Sequence, residues 1–324
     1  MANCLVTGAA GFIGSHLVEG LAAAGHVVVG VDNFDAFYPR EVKQANLAEL
    51  PAGAMEAFYE ADVRDEDAMA RLMATHSVTA VCHLAARGGV RPSIKSPTEY
   101  VDVNVRGALS VLEAARRVGV PKFLLASSSS VYGAHNELPF REDQPLLSPM
   151  SPYAATKIAC EALCHTYHHV HGLQVTCLRL FTVYGPRQRP DLAISSFVRR
   201  MFAGEPVPIY GDGTSSRDYT FVGDVVRGFL AALEQDWGFQ VVNLASGQPV
   251  SLMELVKALE AVLGVEARIE WLPAQPGDMP HTWGDIGRAR DLLGWRPAVG
   301  LQEGLTAFVE WYRRRSAEGE GAVS

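Results

Sequence analysis

The first thirty residues constrain the fold most. Cys4-Leu5-Val6-Thr7 reads as a short apolar strand, and Gly8-Ala9-Ala10-Gly11-Phe12-Ile13-Gly14 follows it. Leu17, Val18 and Leu21 then recur at helical spacing, and Val27–Val31 reads as a second strand that ends in Asp32. Strand, glycine turn, helix, strand and terminal acid together form the first βαβ unit of a dinucleotide-binding fold. The glycines let the backbone approach a pyrophosphate, and the following helix offers amides and the positive end of its dipole. A carboxylate at Asp32 accepts hydrogen bonds from the adenosine ribose hydroxyls and repels a 2′-phosphate. The spacing therefore favours NAD over NADP.

A second stretch carries chemistry. In Ser151-Pro152-Tyr153-Ala154-Ala155-Thr156-Lys157, the phenol and the amine are four residues apart. The pattern after Ser-Pro is helical, with Ile158, Leu163 and Tyr167 apolar, so the two side chains share a helix face. A phenol is a poor base at neutral pH, with a reference pKa of about 10. A neighbouring ammonium favours the phenolate, so such a pair is a way to take a proton from an alcohol.

Composition narrows the class. A chain of 324 residues with 48% hydrophobic content can bury a sizeable core, and its length suits two domains or one large domain with a lobe. A net charge of −8 argues against nucleic acid as a general partner. No window holds about 18 uninterrupted apolar residues, so no membrane span is expected. The chain enters its first strand without a basic stretch before it, which does not read as a signal peptide. Five cysteines without Cys-x-x-Cys spacing read as reduced, buried thiols of a cytosolic protein.

The spacing Gly-x-x-Gly-x-x-Gly, together with Tyr-x-x-x-Lys, resembles the short-chain dehydrogenase/reductase superfamily. The match continues in order. Phe58–Ala61 is a strand that ends in Asp62-Val63, which the resemblance places against the adenine. Val78–His83 is a strand running into Leu84-Ala85-Ala86 beside the cofactor. The expected Thr98–Val118 helix carries Asn104 near the nicotinamide ribose. Phe123–Ala126 ends in Ser127-Ser128-Ser129-Ser130, and Val175–Leu180 is a further strand. The predicted architecture is α/β: a Rossmann, doubly wound parallel sheet over residues 1–181. Past Phe181-Thr182 proline and glycine rise and elements shorten, which predicts a smaller mixed α/β substrate lobe over 182–324. Helices are expected at Ile194–Phe202, Gly223–Glu234, Leu252–Leu263, Arg288–Leu293 and Leu301–Arg314. Strands are expected near Val207–Tyr210, Val241–Leu244 and Ala267–Trp271. The resemblance implies that part of 218–233 packs back on the first domain.

From Cys4 to about Trp311 the chain resembles extended enzymes of the nucleotide-sugar epimerase/dehydratase family. The motifs are the serine-rich strand end, Arg179 to Pro186, Gly211-Asp212-Gly213 with Arg217-Asp218, and Pro276-Gly277-Asp278. Dehydratases of that family carry Asp-Glu directly after the strand-end hydroxyl. Here Ser129 and Ser130 stand there, which disfavours elimination and leaves the epimerase set Ser128, Tyr153 and Lys157. The implied mechanism starts with Tyr153 taking the proton of the sugar 4-hydroxyl while hydride passes from C4 to tightly bound NAD⁺. The 4-keto sugar turns over, and hydride returns to its other face. Ser128 would hold the 4-oxygen, with Ser130 as a second candidate, and Lys157 would hold the nicotinamide ribose. Gly8, Gly11, Phe12, Ile13, Gly14, Asp32, Asn33, Asp62, Val63, Leu84, Ala85, Ala86, Asn104, Ser127, Tyr153, Lys157 and Phe181 are the expected cofactor contacts.

Three details resemble UDP-glucuronate 4-epimerases: Gly89-Val90-Arg91-Pro92-Ser93, Phe181-Thr182-Val183-Tyr184 through Asp191, and Gln275-Pro276-Gly277-Asp278. A C6 carboxylate needs hydrogen-bond donors, and Thr182 with Ser128, Ser129 and Ser130 supplies them without a full charge. Restricting that carboxylate would slow CO₂ loss from a β-keto acid. Arg189 and Arg217 are candidates for the diphosphate. Asp278 is the candidate for a ribose hydroxyl, and Arg91 or Arg187 offers a charge that Gln275 does not. UDP-glucose or UDP-N-acetylglucosamine epimerisation, UDP-glucuronate decarboxylation and a non-catalytic NAD sensor stay open. His165 and His169 share a helix face, yet no third ligand accompanies them, so no metal site is expected. The family resemblance implies a homodimer through helices Thr98–Val118 and Pro152–His171, with Val111, Leu163 and Tyr167 facing the partner or packing the core.

Overall fold

The structure is a computed structural model, and it describes residues 1–134, 136–274 and 279–317. In chain order the strands are β1 (Asn3–Thr7), β2 (Val27–Asp32), β3 (Ala57–Glu60), β4 (Ala80–His83), β5 (Lys122–Ser128), β6 (Gln174–Leu180), β7 (Thr182–Tyr184), β8 (Val207–Tyr210), β9 (Ser216–Phe221), β10 (Phe239–Leu244), β11 (Pro249–Ser251) and β12 (Ile269–Leu272). Seven of them form one parallel sheet in the order β10-β6-β5-β4-β1-β2-β3.

A parallel sheet is buried on both faces, because its crossover helices cover both. The strands show this residue by residue. Cys4 and Val6 of β1 face one core cluster and Leu5 faces the other. Leu124 and Ala126 of β5 likewise oppose Phe123 and Leu125. The first face is covered by helices Phe12–Ala23 and Val222–Leu233, through Leu17, Val18, Leu21, Val226 and Phe229. These helices pack so closely that a Cβ on Gly20 would lie 2.3 Å from Val226 Cγ1. The second face is covered by Glu66–Thr75, Gly107–Val118 and Pro152–His171.

The strand order reverses beside β1, where the chain leaves for β2 on one side and returns through β4 on the other. Ligands of open α/β sheets bind at such a switch point, outside the carboxyl ends of the strands. The close approach of the two strand ends is visible at Gly8, where a Cβ would lie 2.9 Å from Ala85 N.

Two expectations are corrected here, and of the two readings given for Val111, Leu163 and Tyr167 the core packing is the one seen. The strand expected near Val241–Leu244 in the second lobe is β10, and it is the edge strand of the large sheet, paired with β6. Val111 and Tyr167 do not face outward: both are buried in the second core cluster, with Leu163 partly buried against it. The apolar stripe is consumed by helix-on-sheet packing. The expected Thr98–Val118 helix is interrupted. It runs as Pro97–Tyr100, a π-helical turn at Val101–Arg106, then Gly107–Val118. A π turn re-aims side chains inside a helix and is frequent at functional sites, and this one carries Asn104.

The second lobe holds a three-stranded sheet, β11-β9-β7, and the parallel pair β12-β8. Helices Ala193–Phe202, Leu252–Leu263 and Leu301–Ala317 bury Phe197, Val198, Leu255, Leu259, Leu305 and Phe308 between them. The lobes are clasped at Glu49. Its carboxylate accepts from Arg187 Nε at 3.0 Å and from Trp311 Nε1 at 3.0 Å, and it pairs with Arg315 at 3.5 Å. Arg187 also pairs with Glu19 at 3.0 Å and holds a left-handed φ of 61°. Among the described residues no helix is long and apolar enough to cross a membrane.

Candidate active site

At the carboxyl ends of the sheet lies a cavity of about 800 Å³, within the range of cofactor and ligand sites. Its floor is the glycine turn. Gly8 N and Ala9 N donate to Val31 O at 2.8 and 3.1 Å, and Gly11 N donates to Gly8 O at 3.0 Å. Gly8 sits at φ 73°, and a Cβ on Gly14 would lie 2.0 Å from Gly8 O. Only glycine fits either position. The helix that starts at Phe12 has no acidic residue in its first turn and no side-chain cap. No residue of its own first turn neutralises the positive end of its dipole, which suits an anion over the turn.

Asp32 ends β2 with a side chain only 5% exposed. Its Oδ1 accepts from Phe34 N at 2.8 Å and from Lys43 Nζ at 3.2 Å. Asn33 donates to Asp62 Oδ2 at 3.0 Å. Asp62 itself does not line the cavity; Ala61 and Val63 do. Its carboxylate turns to Arg64, whose guanidinium holds the Asp62 pKa at about 2.

The Leu84-Ala85-Ala86 wall is held from beneath. Thr7 Oγ1 accepts from Leu84 N at 3.1 Å and from Ala85 N at 3.2 Å. Both hydroxyl lone pairs are then used, so the Thr7 proton goes to His83 Nδ1, 2.8 Å away. That fixes a neutral imidazole with its proton on Nε2. Burial, with the Lys157 charge adding to it, pushes the His83 pKa down to about 3.

Ser151 starts the Pro152–His171 helix by accepting from Ala154 N at 3.1 Å, and Pro152 fills its first turn. Tyr153 and Lys157 follow one turn apart. Lys157 is buried and donates from Nζ to Ala126 O of β5 at 2.7 Å, which leaves Nζ 6.0 Å from the Tyr153 ring centroid. Tyr100 packs edge-on to Tyr153 at 6.2 Å. Ser128 Oγ accepts from Ser130 N at 3.2 Å and from Ser130 Oγ at 2.9 Å. With both lone pairs engaged, the Ser128 proton is the one left to donate into the cavity. Ser127 lines the cavity, but its hydroxyl donates to the buried Glu161, which also holds Arg179 through 3.0 and 2.8 Å bonds.

Asn104 does not line the cavity. It holds a wall residue instead, with Oδ1 accepting from Arg87 N at 2.8 Å and Nδ2 donating to Arg87 O and to Thr156 Oγ1. Phe181, Thr182, Ser129, Arg91, Arg189 and Arg217 all line it. Arg91 lies 4.6 Å over the Tyr210 ring. Arg189 pairs with Asp191 at 2.9 Å and lies over the Phe37 ring at 5.0 Å. Arg217 donates to Ser216 O and Pro280 O. Asp278 and Gln275 lie outside the described residues.

Sequence reasoning missed Lys43, Tyr38, Asp35 and Arg87, all of which line the cavity. Arg87 bridges Asp35 and Glu99. The signal available was a cluster of aromatic and charged residues directly after the β2 acid. Among the described residues, no three His, Cys, Asp or Glu side chains gather as metal ligands. All five cysteines are buried and free.

Residues 4–245 match the model of the NAD dependent epimerase/dehydratase family. The chain belongs to this family. It is 42% identical over 312 residues to a UDP-glucuronate 4-epimerase of Thermodesulfobacterium geofontis, a match covering 96% of each chain. Among solved structures of the family it is similar to UDP-glucuronic acid 4-epimerase from Bacillus cereus in complex with UDP-glucuronic acid and NAD. That match has a TM-score of 0.90 at 37% identity and covers 96% of this chain and 99% of the other. UDP-glucose 4-epimerase from Thermotoga maritima, with UDP-glucose, also has a TM-score of 0.90, at 36% identity, covering 97% and 99%.

Proposed function

We propose that this chain epimerises UDP-sugars at C4 with retained NAD, and that its sugar is a uronate, UDP-glucuronate to UDP-galacturonate. The observation that carries the reading is the grouping of Ser128, Tyr153 and Lys157 on one cavity wall, with serines rather than carboxylates at 129 and 130. The names of the relatives support the sugar.

The glycine turn fits a dinucleotide: Gly8, Gly11 and Gly14 line the cavity with no side chain of their own, and a Cβ at Gly8 or Gly14 would strike the backbone of Ala85 or Gly8. The amides after Gly11 would hold the pyrophosphate, Asp32 the adenosine ribose, and Lys157 with Tyr153 the nicotinamide ribose. The chemistry NAD supplies when bound is reversible hydride exchange at C4 of the sugar, which makes a 4-ketone accessible. Tyr153 takes the proton from the 4-hydroxyl and returns it after the sugar has turned over. Ser128 donates its remaining proton to the 4-oxygen as negative charge develops there. Lys157, anchored on Ala126 O, is held with Nζ 6.0 Å from the centre of the Tyr153 ring. Ser129, Ser130 and Thr182 offer neutral donors to a C6 carboxylate, and Arg217 and Arg189 face the diphosphate. Arg189 shares its charge with Asp191.

The division at residues 181 and 182 belongs to the same proposal, with the cofactor residues on the first side, sugar residues on both, and Val222–Leu233 and β10 returning to the first. So do cytosolic residence and a homodimer. Five free buried thiols suit a reducing compartment. The outward residues Val101 and Leu109, on the run that carries the π turn, suit a partner helix.

The test is product analysis. Purified protein is incubated without added NAD with UDP-glucuronate, UDP-glucose or UDP-N-acetylglucosamine, and products are resolved by NMR. UDP-galacturonate from the first alone is the expected result. UDP-galactose, or its N-acetyl analogue, without uronate turnover would overturn the sugar. A pentose with CO₂ would overturn the epimerase. Tyr153→Phe is expected to keep its fold and lose at least ~10²-fold in kcat.

A further inference from the structure

The nucleotide end of the cavity holds a cation that the sequence did not announce. Lys43 lies on helix Arg40–Ala48, and its side chain is 8% exposed. Its Nζ lies 3.2 Å from Asp32 Oδ1 and 5.0 Å from the centroid of the Tyr38 ring. The helix is fixed against the glycine turn, since the buried Asn46 donates from Nδ2 to Ala10 O at 3.0 Å. Its last residue runs into Glu49, the clasp between the lobes. Lys43 is therefore a placed charge and not a wandering surface amine.

This changes how Asp32 selects a cofactor. A carboxylate at this point accepts the ribose hydroxyls. Here one oxygen is already engaged by Lys43 and Phe34 N, while Oδ2 is left for the diol. An ammonium in contact with the carboxylate cancels much of its field, so repulsion of a 2′-phosphate is weaker than from a bare acid. Exclusion would come instead from occupancy: a carboxylate that takes the ribose diol would fill the place of a 2′-phosphate, and it already holds the cation that phosphate would need.

We infer that Lys43 is a latent 2′-phosphate anchor masked by Asp32, and that this ion pair sets the choice between NAD and NADP. The inference rests on the NAD reading above. Removing the carboxylate both vacates the position and releases the ammonium, so one substitution does the work of two. A charged hydrogen bond of this kind corresponds to about ten- to a hundredfold in affinity.

The experiment measures nucleotide binding, independently of turnover. Protein stripped of nucleotide is titrated calorimetrically with NAD and with NADP, and its thermal midpoint is followed with each. Four proteins are compared: wild type, Asp32→Ser, Asp32→Asn and Asp32→Ser with Lys43→Met. Wild type is expected to bind NAD in preference to NADP. Asp32→Ser is expected to bind NADP at least tenfold more tightly than wild type does, and to lose affinity for NAD. Lys43→Met in that background is expected to return NADP binding to the wild-type level. Asp32→Asn releases the ammonium but keeps the position filled, so it is expected to gain NADP affinity over wild type by less than Asp32→Ser does, and it reads the Lys43 part alone if the serine variant folds poorly. No gain of NADP affinity in either single variant, with wild type binding NAD, overturns the inference alone. A gain that survives Lys43→Met also overturns it. Wild type that binds neither nucleotide overturns the NAD reading as well.

Discussion

Glu161 and Arg179 form an ion pair under the serine-bearing strand end, with side chains only 7% and 3% exposed. Arg179 cannot shed its proton, because a guanidinium stays charged at any pH a protein survives. Glu161→Leu therefore leaves a buried cation with no carboxylate in contact, supported by a long 3.5 Å contact with Glu142 O and by Tyr132, whose ring lies 4.8 Å away and whose hydroxyl it meets. Breaking a buried pair from one side costs about 3–5 kcal/mol. In urea that moves the unfolding midpoint by roughly 1 M or more. The double variant Glu161→Leu with Arg179→Met replaces both charges by apolar volume and should recover to within about 1–2 kcal/mol of wild type. Arg179→Met alone leaves a carboxylate, which protonation can neutralise, so its loss should shrink as pH falls while that of Glu161→Leu does not. The assay is equilibrium urea unfolding of all four proteins at fixed NAD concentration and two pH values. A Glu161→Leu cost below about 1 kcal/mol would refute the reasoning, as would a double variant showing the sum of the two single losses.

Four further outcomes follow from the same geometry. Gly14→Ala should cost about 1–3 kcal/mol and abolish nucleotide retention, since the added Cβ meets Gly8 O at 2.0 Å. Gly300→Ala, where nothing lies within 4 Å, is the control and should stay within about 0.5 kcal/mol; nucleotide content and urea melts read both. His83 is neutral in the fold with a pKa of about 3 against 6.5 outside it, so the unfolded chain binds the extra proton. Stability must then fall as pH drops below 6.5, by on the order of 5 kcal/mol once pH passes the folded value, at 1.36 kcal/mol per pH unit. His83→Gln should flatten that slope by about one proton, and an unchanged slope would show that His83 is not the source. Ser128→Ala should lower kcat by about 10²–10³ with little change in KM, whereas Ser130→Ala should lose less than about tenfold; kinetics showing the reverse order would reassign the donor. Glu49→Ala should raise KM for the sugar nucleotide while leaving kcat nearly unchanged, because it loosens the Arg187 turn that precedes Arg189; a kcat loss with constant KM would mean that the clasp acts on the chemistry.

The parts that sequence made legible were those set by local rules. The glycine turn with its flanking strands and acid could be read because sterics and hydrogen bonding fix them within thirty residues. Tyr153 and Lys157 could be read because helical spacing alone puts them on one side. Other features depend on distant chain. Lys43 sits in Arg40-Glu41-Val42-Lys43-Gln44, which looks like a solvated helix face until β2 and Tyr38 close over it. His83 ends an apolar strand, and only the Thr7 hydrogen bonds reveal its tautomer. Strands β7 and β11 have three residues each, too few for a period to register, and β9 opens on the polar run Ser216-Arg217-Asp218, which hides it. β10 follows the change in composition that marks the second lobe, so order along the chain misplaced it; pairing with β6 is decided by the sheet.

That return of the chain has a consequence during synthesis. Until residue 244 has left the ribosome, β6 is an open edge, with a row of unpaired amides and carbonyls next to the strand that carries Ser128. The helix Val222–Leu233, which seals one face of the sheet, arrives only just before. The nascent first lobe therefore waits, six strands paired and one face covered only by the Phe12–Ala23 helix, while half of the sugar lobe is made. Its most exposed interval lies between the completion of β6 and the arrival of β10, and that is where a chaperone would find it.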